Sequence, residues 1–291
     1  MNKFVLKQSI LLLLAASIWG VAFVAQSVGM EYVGPFTFLT SRSVLGALVL
    51  LPVIKIRENN RKESMQSDKK SLLIGGICCG TLLFVASILQ QIGIMYTTVG
   101  KSGFITAMYI VAVPLLGIFL KRKTGWRIWL GVLLAVIGLY FLCMTSERVS
   151  IQKGDILTLF CAVTFSFHIL TVDNFAPKMD GVKLSCVQFA TCAILAGIGM
   201  WLFETPDIQN ILAAWLPIVY AGVLSSGVAY TLQIVGQRGL NPTAASLIMS
   251  MESVISVIAG WAILNQALSA RELFGCILMF GAIILVQLPE K

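Results

Sequence analysis

Three ionisable side chains stand inside long apolar stretches of this sequence: Glu252, Arg42 and His168. In a bilayer such a side chain costs about 2.5–3.5 kcal/mol even on insertion scales, so it usually has a use or a partner. A carboxyl group can hold a proton or a cationic group, a guanidinium can attract a carboxylate, and an imidazole can relay protons. These residues are therefore the first candidates for chemistry in the chain.

Each of the three also has a purely structural interpretation. Glu252 could hydrogen-bond neighbouring helices together, without any role in binding or proton coupling. Arg42 could extend to the outer membrane interface instead of attracting a substrate carboxylate. His168, the single histidine of the chain, could be a packed and hydrogen-bonded residue instead of a proton relay. The residues themselves leave these alternatives open.

The elements that must position these residues are membrane helices. The 291 residues are 58% hydrophobic and only 12% charged, with a mean hydropathy of +0.90, whereas soluble domains are nearer one quarter charged. A bilayer core needs roughly 20 apolar residues per helix, and the strict alternation typical of membrane strands is absent. Ten runs satisfy this length: Gln8–Val28, Phe36–Ile54, Ser71–Gly93, Ser102–Leu120, Trp126–Met144, Asp155–Val172, Val182–Phe203, Leu212–Gly236, Thr243–Leu264 and Leu273–Leu288.

The second half of the chain repeats the first. When Gln90 is aligned with Gln233, an offset of 143 residues holds without gaps through the two following runs. Each half carries five spans, so two similar halves must cross the bilayer in opposite orientations, which is the plan of many secondary transporters. The sequence thus predicts an all-α integral membrane fold with ten transmembrane helices in two inverted five-helix repeats, residues 1–146 and 150–291. The identical pairs are Gly93 with Gly236, Ile105 with Ile248, Met108 with Met251, Val111 with Val254 and Gly117 with Gly260.

The basic residues predict the orientation of the spans. If the N-terminus is cytoplasmic, most of the 21 Lys and Arg fall in the inner segments, among them Lys55–Lys70, a stretch expected to be a solvated loop. This asymmetry follows the positive-inside rule and places both termini on the cytoplasmic side of the cell membrane. The net charge of +8 is then a signal of topology, and no nucleic-acid partner is expected. The outer segments hold only Lys101, Arg148, Lys153 and Arg271.

The first apolar run could be mistaken for a secretory signal peptide, because Lys3 and Lys7 precede it and small residues lie near its end. The repeat favours a retained span instead. Without the first run, the run Asp155–Val172 would have no equivalent in the first half. The two runs align at an offset of 146 residues, which pairs Trp19 with Phe165.

The repeat also predicts which residues share a central site. Glu252 aligns with Tyr109, and residues that are equivalent under an in-plane two-fold axis can face each other if both lie near the midplane. The aromatic side chains would supply flat walls, and Glu252 would hold a proton or a cationic group. Gln90 and Gln233 are expected to bridge helices, with a polar lining role as the alternative. The predicted substrate-binding residues are Trp19, Arg42, Tyr109, Phe165 and Glu252, and the predicted proton-coupling residues are Glu252 and His168.

The order of several short motifs resembles the EamA family of the drug/metabolite transporter superfamily. The motifs are Trp19-Gly20 with Phe23 in the first span, Arg42 in the second, Pro114 in the fourth, and the stretch Asn241–Leu285, which is similar to the last two helices of that family. The resemblance implies a ten-helix secondary active transporter that works by alternating access. It further implies a small organic metabolite, an amino acid or related compound, moved outward across the cytoplasmic membrane, with efflux of multiple drugs or cationic compounds as the alternative.

Two other classes of protein fit the sequence poorly. An intramembrane enzyme would need a catalytic set, and the chain offers one histidine, no Gly-x-Ser-Gly arrangement around Ser225 and Ser226, and no pair of aspartates within spans. A channel would need a selectivity filter, and no repeated filter-like segment is present. The expected partners are a small-molecule substrate, protons and the lipid bilayer. No cofactor or metal is expected, and the sequence leaves open whether the protein is a monomer or a homodimer.

Overall fold

The computed structural model describes residues 3–60, 68–97, 99–121, 125–143, 151–264 and 269–287. Every regular element in these ranges is helical. A 3₁₀ turn at Ala176–Lys178 follows α7, and a π-helical segment at Tyr220–Ala229 joins α10 to α11. The α-helices are α1 Lys3–Gly29, α2 Pro35–Asn60, α3 Lys69–Ile94, α4 Val99–Ala107, α5 Tyr109–Phe119, α6 Trp126–Cys143, α7 Lys153–Phe175, α8 Gly181–Phe203, α9 Ile208–Ala213, α10 Trp215–Val219, α11 Tyr230–Gly236, α12 Pro242–Met249, α13 Met251–Leu264 and α14 Ala270–Gln287.

Most of these helices, alone or end to end, have the length and composition of membrane spans. Eight such spans occur among the described residues, and Trp126–Phe141 is a shorter apolar helix. The chain is therefore an all-helical, multi-pass membrane protein. The predicted span ends at Met144 and Leu288, and the predicted boundary between the halves at residues 146–150, lie outside the described residues. The eight spans are Lys3–Gly29, Pro35–Asn59, Lys69–Ile94, Ser102–Phe119, Lys153–Lys178, Gly181–Phe203, Trp215–Gly236 and Pro242–Ala259.

The polarity of the bundle suits lipid on its outside. Large apolar side chains such as Leu48, Ile194 and Trp201 are exposed, which in water would be an aggregation hazard but in a bilayer needs no further explanation. Polar side chains such as Gln91 and Gln188 are instead fully buried between helices. The hydrogen-bonding groups are thus collected in the interior, where a polar solute would have to pass.

The helices pack in an order that brings the two halves of the chain together. Helix α2 packs along α8, and α6 packs along α14. Helix α3 packs against α7 and α8, while α1 packs against α11, α13 and the π-helical segment. Most of the buried core therefore lies between halves, which makes the two halves one packed unit.

Two of the predicted spans are each divided into a pair of half-helices. The run predicted over Ser102–Leu120 consists of α4 and α5, which meet at Met108, and the run predicted over Thr243–Leu264 consists of α12 and α13, which meet at Ser250. At each junction the hydrogen bonding tightens to three-residue spacing: Met108 donates to the carbonyl of Ile105, and Ser253 donates to that of Ser250. Each second half-helix consequently begins deep in the bundle.

The predicted span Leu212–Gly236 corresponds to the span Trp215–Gly236, whose interior is not a regular α-helix. The chain there forms α9, α10, the π-helical segment and α11. In the π-helical segment the turns contain an additional residue, as in the hydrogen bond from the Tyr230 N–H to the carbonyl of Ser225. The amino-acid composition of an apolar run is the same for an α-helical and a π-helical turn, so the sequence does not reveal the π-helical segment.

Both ends of the predicted solvated loop Lys55–Lys70 are helical, whereas its residues 61–67 lie outside the described part of the chain. Helix α2 continues to Asn60, where Glu58 forms an ion pair with Lys183 of α8 at 2.6 Å, and α3 begins at Lys69. Asp68 caps α3, since its carboxylate accepts hydrogen bonds from the Ser71 hydroxyl and from the backbone N–H groups of Lys70 and Ser71. These hydrogen bonds, led by that from the Ser71 side chain, lower the pKa of Asp68 below its ordinary value.

Candidate functional site

A narrow polar cavity lies at the centre of the bundle, where α1, α2 and α3 meet both pairs of half-helices. Its volume is about 50 Å³, which is space for roughly three water molecules. Any larger solute requires the walls to move apart. The lining residues are Trp19, Phe23, Gln26, Arg42, Gln90, Thr106, Tyr109, Phe165, Ile169, Ser225, Tyr230, Gln233, Met249 and Glu252.

Tyr109 and Glu252 face each other across this cavity. The Tyr109 hydroxyl donates a hydrogen bond to Glu252 Oε1 at 3.1 Å, and both residues are buried. Tyr109 is the first residue of α5 and Glu252 the second of α13, so both stand at helix N-termini, where backbone N–H groups favour negative charge. The junctions between half-helices therefore deliver this pair to the centre.

Helix α1 approaches the Glu252 turn closely because Gly20 has no side chain. A Cβ at Gly20 would lie 2.7 Å from the Glu252 carbonyl oxygen and 2.7 Å from Ile255 Cβ. The glycine that follows Trp19 thus lets the indole and the carboxyl group share one cavity.

Arg42 lies in the wall formed by α2, with 4% of its surface exposed. Its Nη1 donates to Gln26 Oε1 at 3.2 Å, and its Nε has no partner among the described residues. In the same part of the chain, no carboxylate lies within ion-pairing distance of the guanidinium. This buried position does not fit a side chain that extends to the membrane interface. The guanidinium instead keeps an N–H group, at Nε, that can donate a hydrogen bond inside the protein.

Aromatic rings form the remaining wall of the cavity. The rings of Trp19 and Tyr230 meet edge to face with centroids 4.7 Å apart, and Phe189 contacts Tyr230 from behind at 5.4 Å. Phe165 of α7 also lines the cavity, whereas the Trp19 indole N–H has no partner among the described residues. Such rings provide flat apolar surface with a polar edge.

His168 is separated from the cavity by this aromatic wall. The ring is fully buried, its Nε2 lies 2.9 Å from Gln188 Oε1, and its centroid lies 6.4 Å from that of Phe165 and 6.2 Å from that of Tyr230. The structure thus does not bring His168 to the cavity with the other predicted site residues. Its surroundings match the packed, hydrogen-bonded alternative.

Sequence reasoning missed several lining residues, of which Gln26 and Tyr230 are the most polar. Gln26 could have been found, since Trp19, Phe23 and Gln26 have the spacing that places residues on one face of a helix. Tyr230 could not, because its position relative to the cavity depends on the π-helical segment that precedes it. The two aligned glutamines, Gln90 and Gln233, both reach the cavity, as the lining alternative proposed.

A polar cavity enclosed by apolar membrane helices, with no soluble domain among the described residues, defines a membrane transport protein. The sequence matches the EamA-like transporter family over residues 6–144 and again over residues 152–288. The chain belongs to this family, and it is a membrane transporter rather than an enzyme.

Named relatives agree with this assignment over nearly the full length of the chain. An uncharacterized transporter of Archaeoglobus fulgidus is 29% identical over 95% of this chain and 84% of its own. The threonine/homoserine exporter RhtA of Escherichia coli K12 is 26% identical over 94% of this chain and 88% of its own. A solved structure, titled only as the crystal structure of a protein, superposes with a TM-score of 0.80 at 17% identity and covers 97% of this chain and 96% of its own.

Proposed function

We propose that this protein is a ten-helix, alternating-access transporter that exports an amino acid or a closely related metabolite across the cytoplasmic membrane. One observation carries the proposal: a single narrow cavity is lined by a guanidinium, Arg42, and by a carboxyl group, Glu252. A zwitterion carries the complementary pair of charges. Its carboxylate would bind Arg42 and its ammonium group would bind Glu252.

The same pair of residues argues against the alternative of cationic drugs. A cation would gain from Glu252 and from the aromatic rings, yet it would also be repelled by the buried charge of Arg42, which the low dielectric of the interior would strengthen. The relative named as a threonine/homoserine exporter supports both the amino-acid substrate and the outward direction.

The helix packing supports the inverted repeat. The pairing of α3 with α7 has its counterpart in the pairing of α1 with the π-helical segment and α11. The packing of α3 against α8 likewise corresponds to the packing of α2 against the π-helical segment. The pairs α2 with α8 and α6 with α14 each join a helix to its equivalent in the other half. An approximate two-fold axis in the membrane plane would produce this set of contacts.

Two glycines support the repeat in atomic detail. A Cβ at Gly93 would lie 2.6 Å from Thr158 Oγ1 and 3.2 Å from the Gly154 carbonyl oxygen. A Cβ at Gly236, the equivalent of Gly93, would lie 2.9 Å from Leu12 Cδ2 and 3.3 Å from the Gln8 carbonyl oxygen. Leu12 is the equivalent of Thr158, and Gln8 is the equivalent of Gly154. Both halves thus use a glycine to make the same helix crossing.

A second pair of helix crossings is also equivalent if the alignment of the two halves is shifted by one residue at Gly222. A Cβ at Gly80 would meet the Gln188 carbonyl oxygen and Thr191 Cβ, whereas a Cβ at Gly222 would meet the Arg42 carbonyl oxygen and Leu45 Cβ. Arg42 is the equivalent of Gln188, and Leu45 is the equivalent of Thr191. The stretch from Gly222 to Gly236 is one residue longer than the stretch from Gly80 to Gly93, and the π-helical segment lies within it.

Proton coupling is proposed at Glu252, which shares its hydrogen bond with Tyr109 inside the cavity. His168 is the weaker candidate, because the aromatic wall lies between it and the cavity. Protonation of Glu252 would remove the charge that binds the ammonium group of the substrate, so that proton binding and substrate binding exclude each other.

The test is counterflow and uptake of radiolabelled amino acids, threonine first, in proteoliposomes that contain the purified protein. Glu252→Gln keeps a hydrogen-bond acceptor for Tyr109 but cannot ionise, and Arg42→Gln removes the guanidinium. We expect wild-type uptake to be saturable and driven by a pH gradient, Glu252→Gln to lose that drive, and Arg42→Gln to lose binding. Glu31→Gln and Lys55→Gln change exposed charges near the ends of helices and serve as controls.

Absence of saturable counterflow for every amino acid would refute the proposed substrate class. A conductance without saturation would indicate a channel instead. Unchanged uptake and unchanged pH dependence in Glu252→Gln would remove the coupling role and leave Glu252 as a hydrogen bond between helices.

A further inference from the structure

The two glutamines that the repeat makes equivalent differ in their partners. Gln90 Nε2 donates a hydrogen bond to Thr106 Oγ1 at 3.3 Å. Gln233 Oε1 is buried and has no hydrogen-bond partner among the described residues. In the second half the equivalent of Thr106 is Met249, whose thioether has no proton to donate to Gln233 Oε1. All four side chains line the central cavity.

An acceptor without a partner destabilises a buried position, and native proteins retain few of them. Gln233 is only 2% exposed, so bulk solvent does not serve it. Its position on the cavity wall means that a molecule in the cavity can supply the missing donor. Gln90 differs, because its Nε2 donates to Thr106 Oγ1 and none of its fully buried polar atoms lacks a partner among the described residues.

We propose that Gln233 is a substrate-binding residue whose Oε1 accepts a hydrogen bond from the ammonium or hydroxyl group of the transported metabolite, whereas Gln90 is a structural residue held by Thr106. This inference rests on the proposed function and adds a specificity-determining contact to the same cavity. It also breaks the symmetry of the repeat at the point of binding, because only one of the two glutamines is available to the substrate.

The first comparison is Gln233→Leu against Gln237→Leu, with carbon-14-labelled threonine as the probe. Gln237 is also buried with an Oε1 that has no partner among the described residues, but it does not line the cavity. Gln233→Leu should raise the half-saturating concentration about tenfold, the effect of losing one typical hydrogen bond, and should leave the melting temperature unchanged or higher. Gln237→Leu should leave the half-saturating concentration within about twofold, whereas Gln90→Leu should lower the melting temperature because it removes the hydrogen bond to Thr106. Equal half-saturation in Gln233→Leu and wild type would overturn the proposal.

The second comparison offers Gln233 Oε1 a hydroxyl donor inside the protein. Met249→Thr places a hydroxyl where the first half has Thr106, and Met249→Leu is the control of similar size without a hydroxyl. Met249→Thr should compete with the substrate for Gln233, so it should raise both the half-saturating concentration and the melting temperature relative to Met249→Leu. If both variants bind threonine equally and melt together, Gln233 Oε1 is not an available acceptor and the proposal fails.

The chemistry of the donor follows from one more substrate. If Gln233→Leu weakens the binding of threonine but not that of 2-aminobutyrate, which lacks the hydroxyl, Gln233 contacts the hydroxyl group. An equal loss of affinity for both substrates assigns the contact to the ammonium group. Failure of the proposed function is separate, since it would appear as absence of wild-type uptake for all amino acids. The melting temperatures of the Met249 variants test the unpaired acceptor without any substrate.

Discussion

Replacement of Glu204 should loosen the end of the bundle at which α8 ends and α2 begins. Glu204 follows α8, and its carboxylate accepts three hydrogen bonds at the start of α2: from the backbone N–H groups of Phe36 and Thr37, both at 2.8 Å, and from the Thr37 hydroxyl at 2.6 Å. Glu204→Ala leaves these donors without a partner in the protein. At about 1 kcal/mol for each net hydrogen bond, the free energy of unfolding should fall by about 2–4 kcal/mol.

A second variant reaches the same contact without changing the carboxylate. A Cβ at Gly34 would lie 2.4 Å from Glu204 Cδ and 2.5 Å from its Oε1, so Gly34→Ala must displace the carboxylate from α2. Asp207→Ala is the matched control, since Asp207 caps the short helix α9 through one exposed hydrogen bond from Gln209 at 2.8 Å. Loss of that cap should cost about 1 kcal/mol or less.

The measurement is unfolding of the purified protein in mild detergent by a stronger denaturing detergent, followed by tryptophan fluorescence. Glu204→Ala and Gly34→Ala should be destabilised alike, and both more than Asp207→Ala. Because α2 also carries Arg42, both should weaken substrate binding. If Glu204→Ala is as stable as Asp207→Ala, the hydrogen bonds that Glu204 accepts from α2 do not anchor this helix. That result would refute the reasoning.

Two further predictions concern stability. Gly236→Val should destabilise the protein strongly because its side chain would overlap Leu12, whereas Gly281→Ala, which has open space around it, should be neutral or stabilising; equal melting temperatures would contradict the close helix crossing. For Asp68→Ala, the depressed pKa means that the cap stabilises α3 above the ordinary pKa of 3.8 and is lost as pH falls below that value. The stability difference from wild type should therefore be constant near neutral pH and shrink in acid, and a difference that grew on acidification would contradict this sign.

The sequence was sufficient for the class of fold and for much of the cavity, because both depend on signals that lipid enforces. Long apolar runs identify membrane helices, and an ionisable residue such as Arg42 or Glu252 inside them must be protected from lipid. The repeat then aligned Glu252 with Tyr109, which the structure places within hydrogen-bonding distance.

The remainder depends on backbone geometry that side-chain patterns do not encode. No proline or glycine lies within four residues of Met108 or Ser250, so both spans were predicted as continuous. For His168, the sequence predicts only how deep in the membrane the residue lies. Its distance from the cavity depends on the rotation of α7 about its axis and on the rings of Phe165 and Tyr230 that pack beside it.

On the proposed inverted repeat, the π-helical segment is a place where the backbones of the two halves differ. A residue gained in the middle of a membrane helix cannot loop out, because lipid offers no partner for its backbone N–H and carbonyl groups. A wider turn accommodates the additional residue, so the crossings at Gly222 and Gly236 both keep the contacts of their counterparts at Gly80 and Gly93. Helix α3 has no such turn, so deletion of one residue between Gly222 and Ala229 would make the stretch from Gly222 to Gly236 as long as the stretch from Gly80 to Gly93. On the proposed repeat, the two halves could thus differ in backbone length at this helix while the close helix crossings are kept.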